Sequence, residues 1–220
     1  MKLIIAVLTK EIKSEFRTRY AISAVILFVL TTVVMIVFAT AGEMLNNQIS
    51  SGILWVIMFF GAMTGLSKSF VSEEERGTSL LLQLTTQSSA VFFGKLIFNM
   101  LLALSLNIFA VVLLLTFFSN LNIGNFGLFV VIIILGSIAI ASATTIISAL
   151  IAKANSKNAL FPVLSFPILL PIIILGIQIT SNAFSGATFA KSQDDLQLIF
   201  SYTGIMILAS YYLFDIVWKD

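Results

Sequence analysis

The sequence contains neither cysteine nor histidine, only three prolines, and charged residues make up only 10% of its 220 residues. The chain therefore forms no disulfide, no thiolate nucleophile, no Cys/His metal site and no histidine general base. It also lacks a nucleotide-binding loop of the form G-x-x-x-x-G-K-[ST], because "FFGKL" at Gly94 and Lys95 has neither the first glycine nor the hydroxyl. These absences argue against an enzyme. If ATP is used, we expect another polypeptide to bind it.

Hydrophobic residues make up 59% of the chain, whereas a soluble domain carries roughly a quarter charged residues. Five charge-free stretches each hold an apolar helix of about 20 residues, the length that crosses a bilayer, and the third stretch holds two. The stretches are Tyr20–Gly42, Met44–Ser67, Leu96–Ala152, Asn158–Ala190 and Leu196–Phe214. We therefore predict an all-α integral membrane protein with six transmembrane helices. Their predicted spans are 21–42, 51–70, 96–118, 127–151, 159–180 and 197–217.

Lysine and arginine are distributed unequally between the two sides that these spans define. Eleven of the twelve fall on one side, and only Lys191 falls on the other. The positive-inside rule then places both termini in the cytoplasm and makes residues 72–95 the largest cytoplasmic loop. The eleven are Lys2, Lys10, Lys13, Arg17, Arg19, Lys68, Arg76, Lys95, Lys153, Lys157 and Lys219.

Residues 1–20 have the periodicity of an amphipathic helix. One face carries Leu8, Ile12, Phe16 and Tyr20, and another carries Lys10, Lys13 and Arg17. Such a basic helix is expected to lie in the headgroup region; the alternative is a solvated basic tail that only sets the orientation. The apolar run after Lys2 is shorter than the core of a secretory signal, so we do not expect one.

The segment "SEEERGTSLLLQLTTQSS" runs from Ser72 to Ser89, between the second and third predicted spans. From Thr78 onward it predicts an amphipathic helix of two to three turns, too short to be stable alone. We expect Gly77 to provide the turn before it, and the three glutamates to meet the positive end of its dipole. The helix either docks on a soluble motor protein or is a solvated loop whose leucines dip into the interface. One arc carries Leu80, Leu81 and Leu84, and another carries Ser79, Gln83, Thr86 and Gln87, with Leu82 at the border.

Small residues indicate close helix packing in two spans, through Gly61 and Gly65 in "GAMTG" and through a stripe on the fourth span. Packing within one subunit and a subunit interface are both open. The fifth span contains all three prolines, so we expect a kinked helix, whether architectural or flexing during transport. The stripe is Ser137, Ala141, Thr145 and Ala149, and the prolines are Pro162, Pro167 and Pro171.

No charged side chain lies in the middle of a predicted span, which weakens the case for an ion-coupled carrier. Asp215 is predicted near the cytoplasmic end of the last helix. Asn99, Asn107 and Gln178 either line a polar path or form interhelical hydrogen bonds. Trp55 and Trp218 fall near predicted span ends, where tryptophan usually anchors a helix.

Several stretches, in order, resemble the haem-exporter permease of cytochrome c maturation (CcmB), a six-span branch of the ABC-2 exporter permeases. "SGILWVIMFFGAMTGL" resembles its second span, and "EEERGTSLLLQL" with "AVFFGKL" resembles its acidic coupling segment and the entry to its third span. "FPILLPIIILG" resembles its fifth span with paired prolines, and "DDLQLIF" resembles the lead into its sixth. Leu80 stands where many ABC-2 coupling segments carry glutamate. The resemblance covers nearly the whole chain.

The resemblance implies one ABC-2 type transmembrane domain over residues 1–220, with an interfacial helix at 1–20 and a cytoplasmic coupling segment at 72–95. It implies a bacterial inner-membrane permease that couples ATP hydrolysis by a separate subunit to haem export or to release of a haem-loaded periplasmic chaperone. The implied partners are the ATP-binding subunit, a second membrane subunit of the same or another chain, a haem-handling membrane protein and the chaperone. The coupling residues are then Glu73, Glu74, Glu75, Gly77, Thr78, Leu81 and Leu84.

We expect no cofactor bound directly by this chain. Haem would lack its commonest protein ligand, histidine, and the tryptophan-rich haem motif of the haem-handling partner is absent. Three other functions remain open: a generic ABC-2 exporter permease for a lipid, drug or glycan, a non-transport membrane scaffold, and an intramembrane enzyme. The last has no histidine, cysteine or buried carboxylate pair to support it.

Overall fold

The structure of the protein, a computed structural model, describes residues 1–40, 45–118, 121–152 and 157–219, with the backbone alone described at 157–159 and 219. Within these ranges the chain is almost entirely helical and has no strand, which confirms the predicted all-α class. The helices are α1 (Lys2–Thr18), α2 (Tyr20–Thr40), α3 (Asn47–Leu66), α4 (Lys68–Glu75), α5 (Ser79–Thr85), α6 (Ser88–Phe117), α7 (Phe126–Ile151), α8 (Lys157–Phe184) and α9 (Gln193–Lys219), with a short 3₁₀ helix at Phe189–Ser192.

Six segments of the described chain are long and apolar enough to cross a membrane, which confirms the predicted number. On the basic side, the second segment ends at residue 75 rather than 70, and the third begins at residue 88 rather than 96. The reason is that residues 71–75 and 88–95 are also helical. The predicted end of the first span at 41–42 and the basic residue Lys153 lie outside the described residues, as do the side chains of Lys157 and Lys219. The segments are Tyr20–Thr40, Asn47–Glu75, Ser88–Phe117, Phe126–Ile151, Leu160–Phe184 and Phe189–Trp218.

Helix α7 lies at the centre of the bundle, packed against α3, α4, α6, α8 and α9. Its small-residue stripe is buried inside the chain, where the Nδ2 of Asn107 donates to Ser137 Oγ at 2.9 Å and the Nδ2 of Asn99 donates to Thr145 Oγ1 at 2.8 Å. These are the interhelical hydrogen bonds expected of transmembrane asparagines. Gln178, by contrast, is exposed on α8.

Glycines allow two close helix contacts, one between α2 and α3 and one between α1 and α6. A Cβ added to Gly65 of α3 would lie 2.9 Å from Val25 Cγ2 of α2, and Gly61 also faces Val25. A Cβ added to Gly94 of α6 would lie 2.7 Å from Val7 of α1. The glycines that the sequence suggested for packing are therefore used within the chain.

Trp55 of α3 is fully buried between α7 and α8, so its interpretation as a span-end anchor is wrong. Its Nε1–H donates to Thr180 Oγ1 at 3.0 Å. Its ring fits against the backbone of two glycines, Gly136 of α7 and Gly176 of α8. A buried tryptophan needs such a partner for its N–H, and here Thr180 provides it inside the bundle.

The helix of the second membrane segment is interrupted at Ser67, between α3 and α4. The hydroxyl of Ser148 on α7 donates to the carbonyl of Ser67 at 3.0 Å and accepts from the backbone N–H of Phe70 at 3.1 Å. A side chain inserted in this way satisfies the backbone groups that a helix break leaves free. Ser148 thereby holds α4, and the segment after it, against the central helix.

Helix α8 runs as one helix through its three prolines. Pro167 and Pro171 are exposed on the outer side of the helix, and Pro162 is half-buried. The hydroxyl of Tyr202 on α9 donates to the carbonyl of Ile168 at 2.7 Å, between the second and third prolines. The predicted kink stays a prediction.

Candidate coupling site

Helix α5 presents its leucines outward. The exposed fractions are 68% for Leu80, 64% for Leu81 and 86% for Leu84, and α5 has no buried residue. Gln83 and Ser79, on the opposite arc, are half-buried toward the body of the protein. The predicted short amphipathic helix is therefore present, and its apolar face is the one that lies free on the described structure.

A tight turn at Gly77 joins α4 to α5. Gly77 has a φ of +66°, the left-handed region that glycine adopts without steric cost. Its N–H donates to the carbonyl of Glu74 at 3.1 Å, and the N–H of Thr78 donates to the carbonyl of Glu73 at 3.0 Å. These bonds close the end of α4 and confirm the turn that the sequence predicted at Gly77.

The three glutamates form the last turn of α4, rather than a free segment before α5. Their predicted interaction with the dipole of α5 is therefore not what the structure has. Glu75 is exposed and Glu74 is half-buried, while Glu73 is buried and turned toward the bundle. The hydroxyl of Thr78, the residue before α5, donates to Glu73 Oε2 at 2.5 Å and does not cap α5.

Glu73 belongs to a cluster of two lysines and two glutamates, which we call the ionic cluster: Lys10 and Glu11 of α1, Glu73 of α4 and Lys95 of α6. Lys95 Nζ lies 2.7 Å from Glu11 Oε1 and 3.4 Å from Glu73 Oε1. Lys10 Nζ lies 3.0 Å from Glu11 Oε1 and also contacts Glu73 Oε1 directly. The cluster has equal numbers of both charges and joins three helices at the base of the segment that carries α5.

Lys95 is the deepest member of the ionic cluster, with 0% exposure. Its Nζ also donates to the carbonyl of Ser69 at 2.6 Å and lies 4.9 Å from the ring centroid of Phe70. A buried ammonium is tolerated only when carboxylates and further hydrogen bonds compensate for its lost hydration. Burial alone would lower the pKa of Lys10, but the carboxylates of Glu11 and Glu73 outweigh it and raise that pKa above its usual value.

The sequence did not reveal the roles of Lys95 and Glu11. Charge alone predicts that the third span begins at residue 96, which places Lys95 in the loop before it, whereas α6 begins at Ser88. On α1 the expected apolar face is only half-buried or exposed, and the buried residues are Val7 and Glu11. A signal was available, since Val7 and Glu11 are four residues apart and thus share a face.

A second contact joins α5 to the end of α9. Gln83 Nε2 donates to the carbonyl of Trp218 at 2.7 Å. The Trp218 ring stacks on Phe214 with centroids 5.3 Å apart, and Phe214 lies 5.2 Å from the ring of Phe70. Just after α5, the hydroxyl of Ser88 donates to Asp215 Oδ1 at 2.5 Å. Helix α5 is thus attached to α1 and α6 through the ionic cluster, and to α9 through Gln83.

Among the described residues there is no group of three or more Asp, Glu, His or Cys side chains placed to hold a metal ion. The site consists of an exposed apolar helix that follows a tight turn at Gly77 and is connected by polar contacts to several membrane helices.

Comparison with protein-family models identifies a family to which the chain is similar. The family model described as CcmB protein matches residues 2–211 of the chain. Comparison with curated proteins gives no significant match.

Proposed function

Because this chain belongs to the CcmB family, we propose that α5 couples it to a separate ATP-binding subunit during cytochrome c maturation. The family comprises membrane permease components of ABC systems for haem export in cytochrome c biogenesis, and it implies an ATP-binding subunit and other Ccm components. In the proposal, movement of the ATP-binding subunit drives haem export, or release of a haem-loaded periplasmic chaperone.

The observation that carries the proposal is the exposed leucine face of α5, with Leu84 at 86% exposure. Fully burying a leucine side chain is favourable by about 1.5–3 kcal/mol. A groove on a partner that covers this face would therefore stabilise the complex. A two-turn helix is also unstable in isolation, and the polar face of α5 already packs against the rest of the protein. The exposed face therefore fits a groove on a soluble partner.

The contacts behind α5 provide a route from that partner to the membrane helices. Thr78 ties the start of α5 to Glu73, and through Glu73 to α1 and α6. Gln83 ties its middle to α9. A displacement of α5 would thus act on three membrane-associated elements together. In this proposal Glu73 transmits movement inside the protein, while Leu81 and Leu84 contact the partner.

We place the termini and α5 in the cytoplasm on the strength of the lysine and arginine distribution, and the chain in the bacterial inner membrane on the strength of its family. Helix α1, whose Phe16 is exposed like Tyr20 at the start of α2, then lies in the headgroup region of the cytoplasmic leaflet. A second membrane subunit of the same or another chain, a haem-handling membrane protein and a periplasmic haem chaperone complete the proposed assembly.

Haem ligation is assigned to another subunit in this proposal. The chain has no histidine or cysteine, and Trp55 is enclosed by its own bundle. We therefore favour release of the loaded chaperone over passage of haem through this subunit. Reconstituted complexes in vesicles without chaperone test this choice: no ATP-dependent haem accumulation is expected, and accumulation would refute it.

The docking role is tested by the double variant Leu81→Asp/Leu84→Asp. We expect normal membrane insertion, with loss of the co-purifying ATP-binding subunit or with ATP hydrolysis uncoupled from cytochrome maturation. Leu84→Asp alone is compared with Gln87→Asp, which adds the same charge at an exposed position just after α5 and should leave both properties intact. Normal assembly and activity of the double variant would contradict a coupling role.

A further inference from the structure

A separate cleft of about 290 Å³ opens on the basic side of the molecule, between α1, the start of α2, α4 and α6. Outside the ionic cluster, its polar part carries four charged side chains, contributed by α1, α4 and the turn after α4; Glu11 of the ionic cluster also lines the cleft. Its inner part is lined by Gly65, Phe98 and Leu102. The four charged residues are Glu15, Lys68, Glu75 and Arg76.

These four charges do not neutralise one another. Among the described residues, every ion pair within 4.0 Å involves only members of the ionic cluster. Glu15 instead accepts a hydrogen bond from the N–H of Ile22 at 3.0 Å, and Lys68 Nζ lies 4.2 Å from the centroid of the Tyr20 ring. Outside the ionic cluster, two positive and two negative groups thus face one cavity without an ion pair between them.

The inner part of the cleft also has an unused acceptor. Asn99 lines the cleft, is 1% exposed and donates through Nδ2 to Ser69 and Thr145. Its Oδ1 is buried and has no hydrogen-bond donor in the described structure. A buried amide oxygen normally has a hydrogen-bond donor, and this one has none among the described protein groups.

We propose that this cleft binds a phospholipid headgroup that carries both a phosphate and a primary ammonium, as in a phosphatidylethanolamine of the leaflet on the basic side. Lys68 and Arg76 provide donors for the phosphate, and Glu15 and Glu75 accept from the ammonium. The apolar residues at the inner end accommodate the adjoining glycerol and the first part of an acyl chain. A simple anion would pair with the two cations but leave both glutamates unpaired.

The position of the cleft fits a lipid. It lies where α2 begins its apolar run at Tyr20 and where the second membrane segment ends at Glu75, so it borders the predicted interface. A lipid held there would contact α1 and the turn that leads to α5. This inference does not depend on the proposed coupling function, because it concerns binding to the isolated chain.

The absence of cysteine makes a direct test possible. Ser72→Cys places one thiol in the cleft wall, and Ser79→Cys places one at another half-buried position that does not line it. Both variants are reconstituted into nanodiscs of phosphatidylethanolamine, phosphatidylglycerol or phosphatidylcholine and labelled with a neutral maleimide. The rate for Ser72→Cys is divided by that for Ser79→Cys in each lipid.

We expect this ratio to be about tenfold lower in phosphatidylethanolamine than in phosphatidylglycerol, as for a site occupied nine-tenths of the time. Phosphatidylcholine, whose ammonium has no N–H to donate, should protect weakly. Lys68→Gln with Arg76→Gln should remove the protection, while Lys191→Gln should not. Size-exclusion profiles and helical circular dichroism establish that each variant is folded.

Three results would overturn the proposal. Equal ratios in all three lipids would mean that the cleft holds only water. Protection by inorganic phosphate in phosphatidylglycerol nanodiscs would mean a site for a soluble anion. Protection by phosphatidylethanolamine that survives neutralisation of Lys68 and Arg76 would mean that the headgroup binds elsewhere.

Discussion

Lys95 Nζ lies 2.7 Å from Glu11 Oε1, at a point where the lysine is shielded completely from solvent. This contact fastens the amino-terminal helix to the helix that follows the coupling segment. Glu73 joins the same lysine from the other side and, through Thr78, reaches the start of α5. The four charged groups therefore connect α5 to α1 and α6, in addition to the contact of Gln83 with α9.

The first prediction concerns the stability of this connection. Lys95→Met leaves two buried carboxylates with Lys10 alone, so we expect a loss of about 3–5 kcal/mol in unfolding free energy. Pairing it with Glu11→Gln should recover part of that loss, and the double-variant cycle should give a coupling of about 0.5–3 kcal/mol. Unfolding of the purified protein in detergent measures all four members of the cycle.

Lys13→Met is the control for this cycle, because Lys13 lies exposed on the same helix as Glu11. It should change the unfolding free energy by no more than about 0.5 kcal/mol. Strict additivity of Lys95→Met and Glu11→Gln would show that the two side chains do not interact in the folded protein.

The second prediction concerns Trp55. A Cβ at position 176 would lie 2.0 Å from Trp55 Cζ2, so Gly176→Ala should destabilise the fold by about 1–3 kcal/mol or more through overpacking. Adding Trp55→Leu to Gly176→Ala should be less harmful than the sum of the two single changes. Thermal unfolding in detergent provides the comparison.

Gly204→Ala on α9 is the matched control, since nothing lies within 4 Å of a Cβ added there. Alanine is the better helix former by about 1 kcal/mol, so this variant should be neutral or more stable. If Gly176→Ala were equally benign, the close fit of Trp55 against α8 would be incorrect.

The third prediction concerns the turn at Gly77. No atom lies within 4 Å of a Cβ added at this position, so only its φ of +66° opposes substitution. A β-branched residue should cost about 1–2 kcal/mol in the turn, whereas asparagine tolerates this conformation. Gly77→Val should therefore reduce ATP-coupled activity more than Gly77→Asn, with both proteins inserted normally. Equal activity of the two variants would show that the turn geometry is unimportant.

The sequence predicted the spans and the leucine face of α5 because both depend on periodicity and charge depletion over many residues. Six spans predicted from five charge-free stretches correspond to six helical segments, and the arc of Leu80, Leu81 and Leu84 is the exposed arc of α5. Gly77 was predictable for a local reason, since a sharp turn between two helices favours glycine.

The ionic cluster and the position of Trp55 depend on contacts between residues far apart in the chain. Lys95 was placed in a loop because charge alone marked the start of the third span, yet Glu11 and Glu73 compensate its charge inside the protein. Trp55 is central because Gly136 and Gly176 leave room for its ring. No periodicity in one helix contains that information.

The central claim, that the leucine face of α5 docks on an ATP-binding subunit, is tested most directly by site-specific cross-linking. In the cysteine-free chain, Leu84→Cys carries a photoreactive label on the exposed face of α5, and Ser79→Cys carries it on the face toward the bundle. The account predicts an adduct with the ATP-binding subunit from position 84 and none from position 79. Adducts from position 84 with lipid alone, in membranes where the ATP-binding subunit is assembled, would contradict it.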